Sequence, residues 1–65
     1  MSPIERAACR AINHYVEVFE GNWKEIRIEV LRDIDLLLQN GGEGHKMFAY
    51  ALDRMYHELA PRTRQ

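Results

Sequence analysis

Apolar residues recur at helical spacing through almost the whole chain, and this period is the feature that most constrains the fold. Such spacing places the side chains on one side of an α-helix. No stretch alternates apolar and polar residues for long enough to indicate a β-strand. The sequence therefore predicts an all-α fold. The first apolar face is formed by Ile4, Ala8, Ala11, Ile12, Tyr15, Val16 and Phe19, and it is flanked by Ala7 and Val18. The second apolar stripe is formed by Trp23, Ile26, Val30, Ile34 and Leu37, with Leu31 and Leu38 beside it. The third face is formed by Phe48, Leu52, Met55 and Leu59, and it is extended by Met47, Ala51 and Tyr56.

Residues that favour helix ends mark where the helices begin and end. Ser2 followed by Pro3, with Glu5 three positions after Ser2, is a typical helix start, since serine and glutamate side chains cap each other's backbone amides. Gly21 is typical of the position after a helix, and Asn22 is a favourable cap for the next one. The chain is thus predicted to form three helices, which span about 3–20, 23–39 and 44–60.

The short connections predict how the three helices are arranged. With two residues between them, the first two helices are expected to form an antiparallel hairpin, and the third packs against it. Pro61 ends the third helix, and residues 61–65 are expected to form a frayed basic tail. The 65 residues make one small domain. A core of that size usually needs a disulfide, a metal or a partner subunit in addition.

The cysteine and histidine content excludes an intrachain disulfide and argues against a structural metal site. Cys9 is the only cysteine, which excludes an intrachain disulfide, and the three histidines lack the paired spacing of a structural zinc site. Self-association remains, so a dimeric helical bundle is predicted. A single free thiol fits a reducing compartment, and no apolar run approaches the length of a membrane span. We therefore expect a cytoplasmic protein without membrane contact.

The segment QNGGEGHKMF, residues 39–48, concentrates three of the four glycines and raises the question of a phosphate-binding loop. A P-loop needs serine or threonine after its lysine and a buried strand before its glycines. Here Lys46 is followed by Met47, an amphipathic helix precedes the glycines, and Glu43 would repel a phosphate. The segment is therefore interpreted as a helix end, a bend and a helix start.

Residues with catalytic or metal-binding potential do not form a complete site. Asp53 and His57 are four positions apart, so their side chains can meet, but no second pair completes a metal or acid–base site. Cys9 lacks a histidine at a position that could activate it, and we expect it to be a small packed side chain. We therefore expect no enzymatic activity, no cofactor, no metal and no small-molecule substrate.

Several side chains lie outside the predicted core faces and indicate a second buried surface. Ile28 and Leu36 point away from the apolar side of the second helix, and Tyr50 lies outside the apolar face of the third helix. Arg27 falls inside the apolar stripe, where it either covers apolar surface with its methylene groups or forms an ion pair across an interface. The candidate protein-interface residues are Trp23, Arg27, Ile28, Leu31, Leu36 and Tyr50.

The last third of the chain also carries cations that could contact nucleic acid. Arg54 is spaced to pair with Glu58, and cations are in any case typical of a helix C-terminus. Glu43 and Asp53 make this face poor for DNA, and a net charge of −1 provides no basic field. In this alternative the second and third helices form a helix-turn-helix, and the candidate contact residues are Lys46, Arg54, Arg62 and Arg64.

A small helical interaction protein is the function that these observations favour. The wide apolar faces predict a homodimer, and a helix or a dimer groove would bind another protein. In length and in its short compact helices, the chain resembles accessory proteins of temperate phages and mobile elements, such as anti-activators and anti-CRISPR proteins. That resemblance implies a viral regulator or inhibitor. A small nucleic-acid-binding transcriptional regulator is the alternative, although we do not expect nucleic acid as the partner.

Overall fold

The computed structural model describes residues 1–62, which form three α-helices: α1 (Pro3–Val18), α2 (Trp23–Asn40) and α3 (Glu43–Leu59). These residues include no strand, so the all-α prediction is confirmed. None of the three helices is long and apolar enough to cross a bilayer. Of the predicted frayed tail, residues 61 and 62 follow α3 without helical structure, and the rest lies outside the described residues.

The first helix ends two residues earlier than predicted. Its last residue is Val18 instead of Glu20, because Phe19 has already left helical geometry and Glu20 has a φ angle of +52°. Gly21 follows with a φ angle of +76°. Two successive residues in the left-handed region turn the chain away from the helix axis, since a right-handed helix cannot continue through them.

Capping side chains fix the starts of α1 and α2, as the sequence predicts. The Ser2 hydroxyl accepts a hydrogen bond from the Glu5 amide at 3.2 Å, and the Glu5 carboxylate accepts one from the Ser2 amide at 3.0 Å. The side chain of Asn22 accepts from the amides of Lys24 and Glu25. Each cap satisfies backbone donors that the first helical turn leaves unpaired, and stabilises the helix by about 1 kcal/mol.

Two glycines form the whole connection between α2 and α3. Gly41 has a φ angle of +78°, in the left-handed region that glycine commonly adopts after a helix. Gly42 is the N-cap residue of α3, and it has no side chain that could cap the helix. The second helix continues one residue further than predicted, to Asn40, and α3 spans 43–59 instead of 44–60. The glycine-rich segment is therefore a helix end and a restart, as its sequence indicates.

Helix α3 is the central element of the core. It packs against both α1 and α2, which contact each other much less. None of the buried residues in the described part of the chain is polar or charged. The predicted hairpin of the first two helices stays a prediction, because their mutual contacts are few. The core cluster takes side chains from all three helices, namely Ala8, Ile12, Ile26, Val30, Ala51, Leu52 and Met55.

The apolar stripe of α2 is buried over only part of its predicted width. Ile26 and Val30 are buried, whereas Ile34 and Leu37 are half-buried. Leu38, which was expected beside the stripe, is 42% exposed. Mainly α3 covers this helix, and a single neighbouring helix leaves the flanks of a wide stripe in solvent. Other apolar residues expected on or beside the apolar faces but exposed are Leu31, Val18, Met47 and Leu59.

Cys9 is the packed side chain that the sequence predicts. It is half-buried, and its sulfur lies 3.2 Å from the sulfur of Met55. Because Met55 belongs to the buried core, the thiol fills the contact between α1 and α3 as a small apolar group.

Candidate protein-interaction surface

Three apolar side chains of α2 form an exposed stripe that is separate from the core-facing side of the helix. Ile28, Leu31 and Leu38 are 51%, 50% and 42% exposed. They follow one another at steps of three and seven residues, which places them on one side of a helix. Ile26 and Val30 lie on the other, buried side. We call the exposed stripe the outer face of α2, and it also carries Lys24, Arg27 and Asp35.

Opposite charges stand on the two sides of Leu31 on the outer face of α2. Arg27 comes four residues before it and Asp35 four residues after it, so each lies about 6 Å away along the helix axis. Within residues 1–62, neither side chain belongs to an ion pair. The Asp35 carboxylate accepts a hydrogen bond from the neutral amide of Gln39 at 2.9 Å. Both charges therefore remain accessible to a second molecule.

A groove runs beside the outer face, between α2 and the C-terminal part of α3. It is lined by Trp23 and Tyr56, whose rings meet edge to face with centroids 5.9 Å apart. Tryptophan, tyrosine and arginine are the residue types that contribute most to protein–protein binding. An apolar side chain next to an acidic group would suit this groove, because its charged lining residues are Lys24, Arg27, Arg62 and Glu58.

The pair of Asp53 and His57 forms beside the groove, as the spacing predicts. The Nδ1 atom of His57 lies 2.8 Å from the backbone carbonyl oxygen of Asp53 and 3.6 Å from its carboxylate. Both side chains are mostly in solvent. In the part of the chain that the structure describes, no group of three histidine, cysteine or acidic residues could hold a metal ion. The pair is therefore a surface contact within one helix.

The six candidate interface residues do not share one surface. Only Trp23 is half-buried, and the other five are exposed. Leu36 is 52% exposed, but it follows Leu31 by five residues and so lies about 140° around the helix from it. Tyr50 belongs to α3. The sequence pattern places Leu38 beside the apolar stripe of α2 and does not include it among the interface candidates, but its exposure and its step of seven residues from Leu31 place it on the outer face.

The nucleic-acid candidates do not form a common basic surface among the described residues. Lys46 is half-buried near the start of α3, and Arg62 is exposed where it lines the groove. Arg64 lies outside the described residues. A helix-turn-helix of α2 and α3 would need several free cations on one face of α3. Lys46 and Arg62 lie near opposite ends of that helix.

Arg54, the fourth of these candidates, is paired with a carboxylate. Its guanidinium lies 3.6 Å from Glu5 of α1, so the expected pair with Glu58 is wrong. The packing of α1 on α3 brings Glu5 to this position, which sequence spacing within α3 cannot indicate. The pKa of Glu5 lies below its usual value because the Ser2 amide donates to its carboxylate. Burial opposes this shift, and the charge of Arg54 adds to it.

Apolar side chains flanked by opposite charges suit contact with another protein, because burial stabilises the complex and charge pairs select the partner. The outer face of α2 and the adjoining groove together offer both features. No protein-family model matches the chain, and no curated protein or solved structure shows significant similarity to it.

Proposed function

We propose that this protein is a small helical interaction module that forms a homodimer and regulates or inhibits a larger protein, without enzymatic activity of its own. The observation that carries this proposal is the outer face of α2. This helix already contributes Ile26 and Val30 to the core. Its second apolar stripe has no cover within residues 1–62, since Ile28 and Leu31 keep half of their surface in solvent.

Removal of this apolar surface from water would favour self-association. A leucine or isoleucine side chain gains about 1.5–3 kcal/mol when it is fully buried, so covering the remaining half gains about 1 kcal/mol. A two-fold axis doubles each contribution, because both subunits present the same surface. A chain of 65 residues has a small core, and a partner subunit is a common support for cores of that size.

The groove beside the outer face supports binding of a second, larger protein. Trp23 and Tyr56 offer aromatic surface, and basic side chains such as Arg62 stand around it. A partner segment with an apolar residue next to a carboxylate would be complementary to this lining. Binding of such a segment would block a surface that the larger protein uses, which is how a small module without catalytic groups acts as a regulator or inhibitor.

Affinity capture with a matched pair of charge reversals tests this proposal. The tagged wild type is used to capture proteins from a lysate of the source organism, beside Arg62→Glu in the groove and Arg10→Glu on α1. Both arginines are exposed, and both variants change the net charge equally. We expect one protein to be captured by the wild type and by Arg10→Glu, and to be lost with Arg62→Glu.

The captured protein is then purified, and its own activity is measured with increasing amounts of wild type and of Arg62→Glu. If this protein is an inhibitor that acts through the groove, the wild type lowers the activity of the captured protein and Arg62→Glu does not. Equal capture by both variants, or an unchanged activity, would exclude the groove as the regulatory surface.

Duplex DNA distinguishes the proposed function from the alternative of a transcriptional regulator. We expect no binding of a fluorescent duplex of arbitrary sequence, because Arg54 is paired and no basic stripe is present among residues 1–62. Fluorescence anisotropy at low and at moderate salt measures this directly. Binding that weakens steeply with salt concentration would favour the helix-turn-helix function instead.

A further inference from the structure

We infer that a second copy of this chain covers the outer face of α2, with the two α2 helices antiparallel and the two-fold axis passing beside Leu31. This arrangement rests on the proposed self-association and specifies its contact. In such a pair, a residue that precedes Leu31 by a given number of positions in one copy lies opposite the residue that follows Leu31 by the same number of positions in the other copy. Leu31 then meets Leu31 of the other copy at the centre of the interface.

The positions of the charges carry this arrangement. Arg27 precedes Leu31 by four residues, and Asp35 follows it by four. In the antiparallel pair, Arg27 of one copy therefore lies opposite Asp35 of the other, and the symmetry produces two such ion pairs. Neither side chain has an ion-pair partner among residues 1–62. The outer face is thus complementary in charge to itself when one copy is inverted.

The ends of α2 favour the same orientation. Leu31 is the ninth of the 18 residues of Trp23–Asn40, so two helices paired at this residue overlap along almost their whole length. The last turn of α2 carries no basic residue, although a cation is favourable at a helix C-terminus. Antiparallel pairing places Lys24 of the other copy opposite Leu38, near that end. Its charge then lies close to the negative end of the helix dipole, and its methylene groups can cover the leucine.

A parallel pair lacks these features. Each Arg27 would lie beside the arginine of the other copy, and each Asp35 beside the other aspartate. Like charges at such close range destabilise an interface, and two parallel helix dipoles also repel each other. Leu36 is on another side of α2 and takes no part in either pairing, so its exposure is independent of the dimer.

Variants that reverse the charge of Arg27 or of Asp35 test how the two α2 helices are aligned. The dimerisation of each variant is measured by sedimentation at a series of concentrations. Arg27→Asp places two carboxylates on the outer face, and Asp35→Arg places two guanidinium groups there, so each variant should dimerise at least about tenfold more weakly than the wild type. An equimolar mixture of the two variants should form a heterodimer, since every carboxylate then faces a guanidinium. The double variant, with both exchanges in one chain, should again form a homodimer.

The wild type and each variant are checked for helicity by circular dichroism, so that loss of the dimer is separated from loss of the fold. If the wild type is a monomer, the proposed self-association and this arrangement both fail. If the wild type is a dimer but the two single variants dimerise as well as it does, the arrangement is wrong and self-association through another surface stands.

Disulfide cross-linking tests the position of the two-fold axis independently of charge. In a Cys9→Ser background, Leu31→Cys should oxidise rapidly to a covalent dimer with oxidised glutathione, because two residues at the axis can reach the Cα separation of a disulfide. Ile28→Cys is the matched control on the same face. Its two copies are displaced by about 9 Å along the helices, so it should remain largely uncross-linked. Faster cross-linking of Ile28→Cys than of Leu31→Cys would overturn the arrangement.

Discussion

The hydroxyl of Tyr15 on α1 donates a hydrogen bond to the carboxylate of Asp33 on α2. Both side chains are half-buried, and the bond joins the two helices that have the fewest contacts with each other. Burial is the largest cause that raises the pKa of Tyr15 to about 12, followed by the hydrogen bond to Asp33 and its negative charge. The proton of this hydroxyl is therefore part of what holds α1 to α2.

We predict that alkali destabilises the fold through Tyr15. A tyrosine in an unfolded chain has a pKa of about 10, and folding raises it, so the folded state binds this proton more tightly. The stabilisation is fully present below about pH 10 and is lost as the pH rises through the folded pKa. Tyr15→Phe should lower the free energy of unfolding by about 1 kcal/mol at neutral pH.

Urea melts of the wild type and of Tyr15→Phe between neutral pH and pH values near 12 measure this effect. The difference between the two proteins should shrink as the pH rises, because the phenylalanine variant has no phenolic proton to lose. A difference that stays constant over the whole range would contradict the role of this hydrogen bond.

Two isoleucines of α2 provide a matched test of the core. Ile26 has no exposed surface and Ile28 is 51% exposed, although they are two residues apart on one helix. Ile26→Ala should lower the free energy of unfolding by about 2–5 kcal/mol, because it leaves a cavity beside α3. Ile28→Ala should change it by about 0.5 kcal/mol or less in urea melts at concentrations low enough to keep the chain monomeric. Equal effects would mean that α2 is rotated relative to the core.

Two glycines, one in the connection between α2 and α3 and one in the first turn of α3, should have opposite effects on stability when each is replaced by alanine. Gly41 has a φ angle of +78°, so Gly41→Ala should destabilise the protein by about 1 kcal/mol. Gly44 lies in the first turn of α3, where an added methyl group would meet no atom within 4 Å. Gly44→Ala should therefore stabilise the protein by about 0.4–1 kcal/mol. Thermal melts show whether each variant is more or less stable than the wild type. A change in stability in the same direction for both variants would contradict the geometry of the connection.

The parts of the fold that sequence predicts well are those set by local chemistry. The capping box of Ser2 and Glu5, the Asn22 cap and the helix end at Gly41 depend only on residues within one or two turns. Their signals are visible without a tertiary structure. The end of α1 was less accurate because Glu20 is a non-glycine residue with a positive φ angle, which its residue type does not indicate.

The arrangement of the helices and the extent of the exposed surface depend on contacts between distant residues. All three helices carry wide apolar faces, so spacing alone does not show that α3 packs on both others. For the same reason, the spacing places Leu38 beside the apolar stripe of α2, although it is exposed, and Ile34 within that stripe, although it is only half-buried. The partner of Arg54 is Glu5, 49 residues away in the chain, and only tertiary packing brings the two together.

Sedimentation of three proteins tests the central proposal that the outer face of α2 holds a homodimer. Leu31→Glu and Leu36→Glu introduce the same charge on the same helix at residues of nearly equal exposure, 50% and 52%. At micromolar concentration we predict that the wild type and Leu36→Glu sediment with twice the mass of one chain, and that Leu31→Glu sediments as a folded monomer. A monomeric wild type, or a Leu31→Glu variant that remains dimeric, would contradict the account.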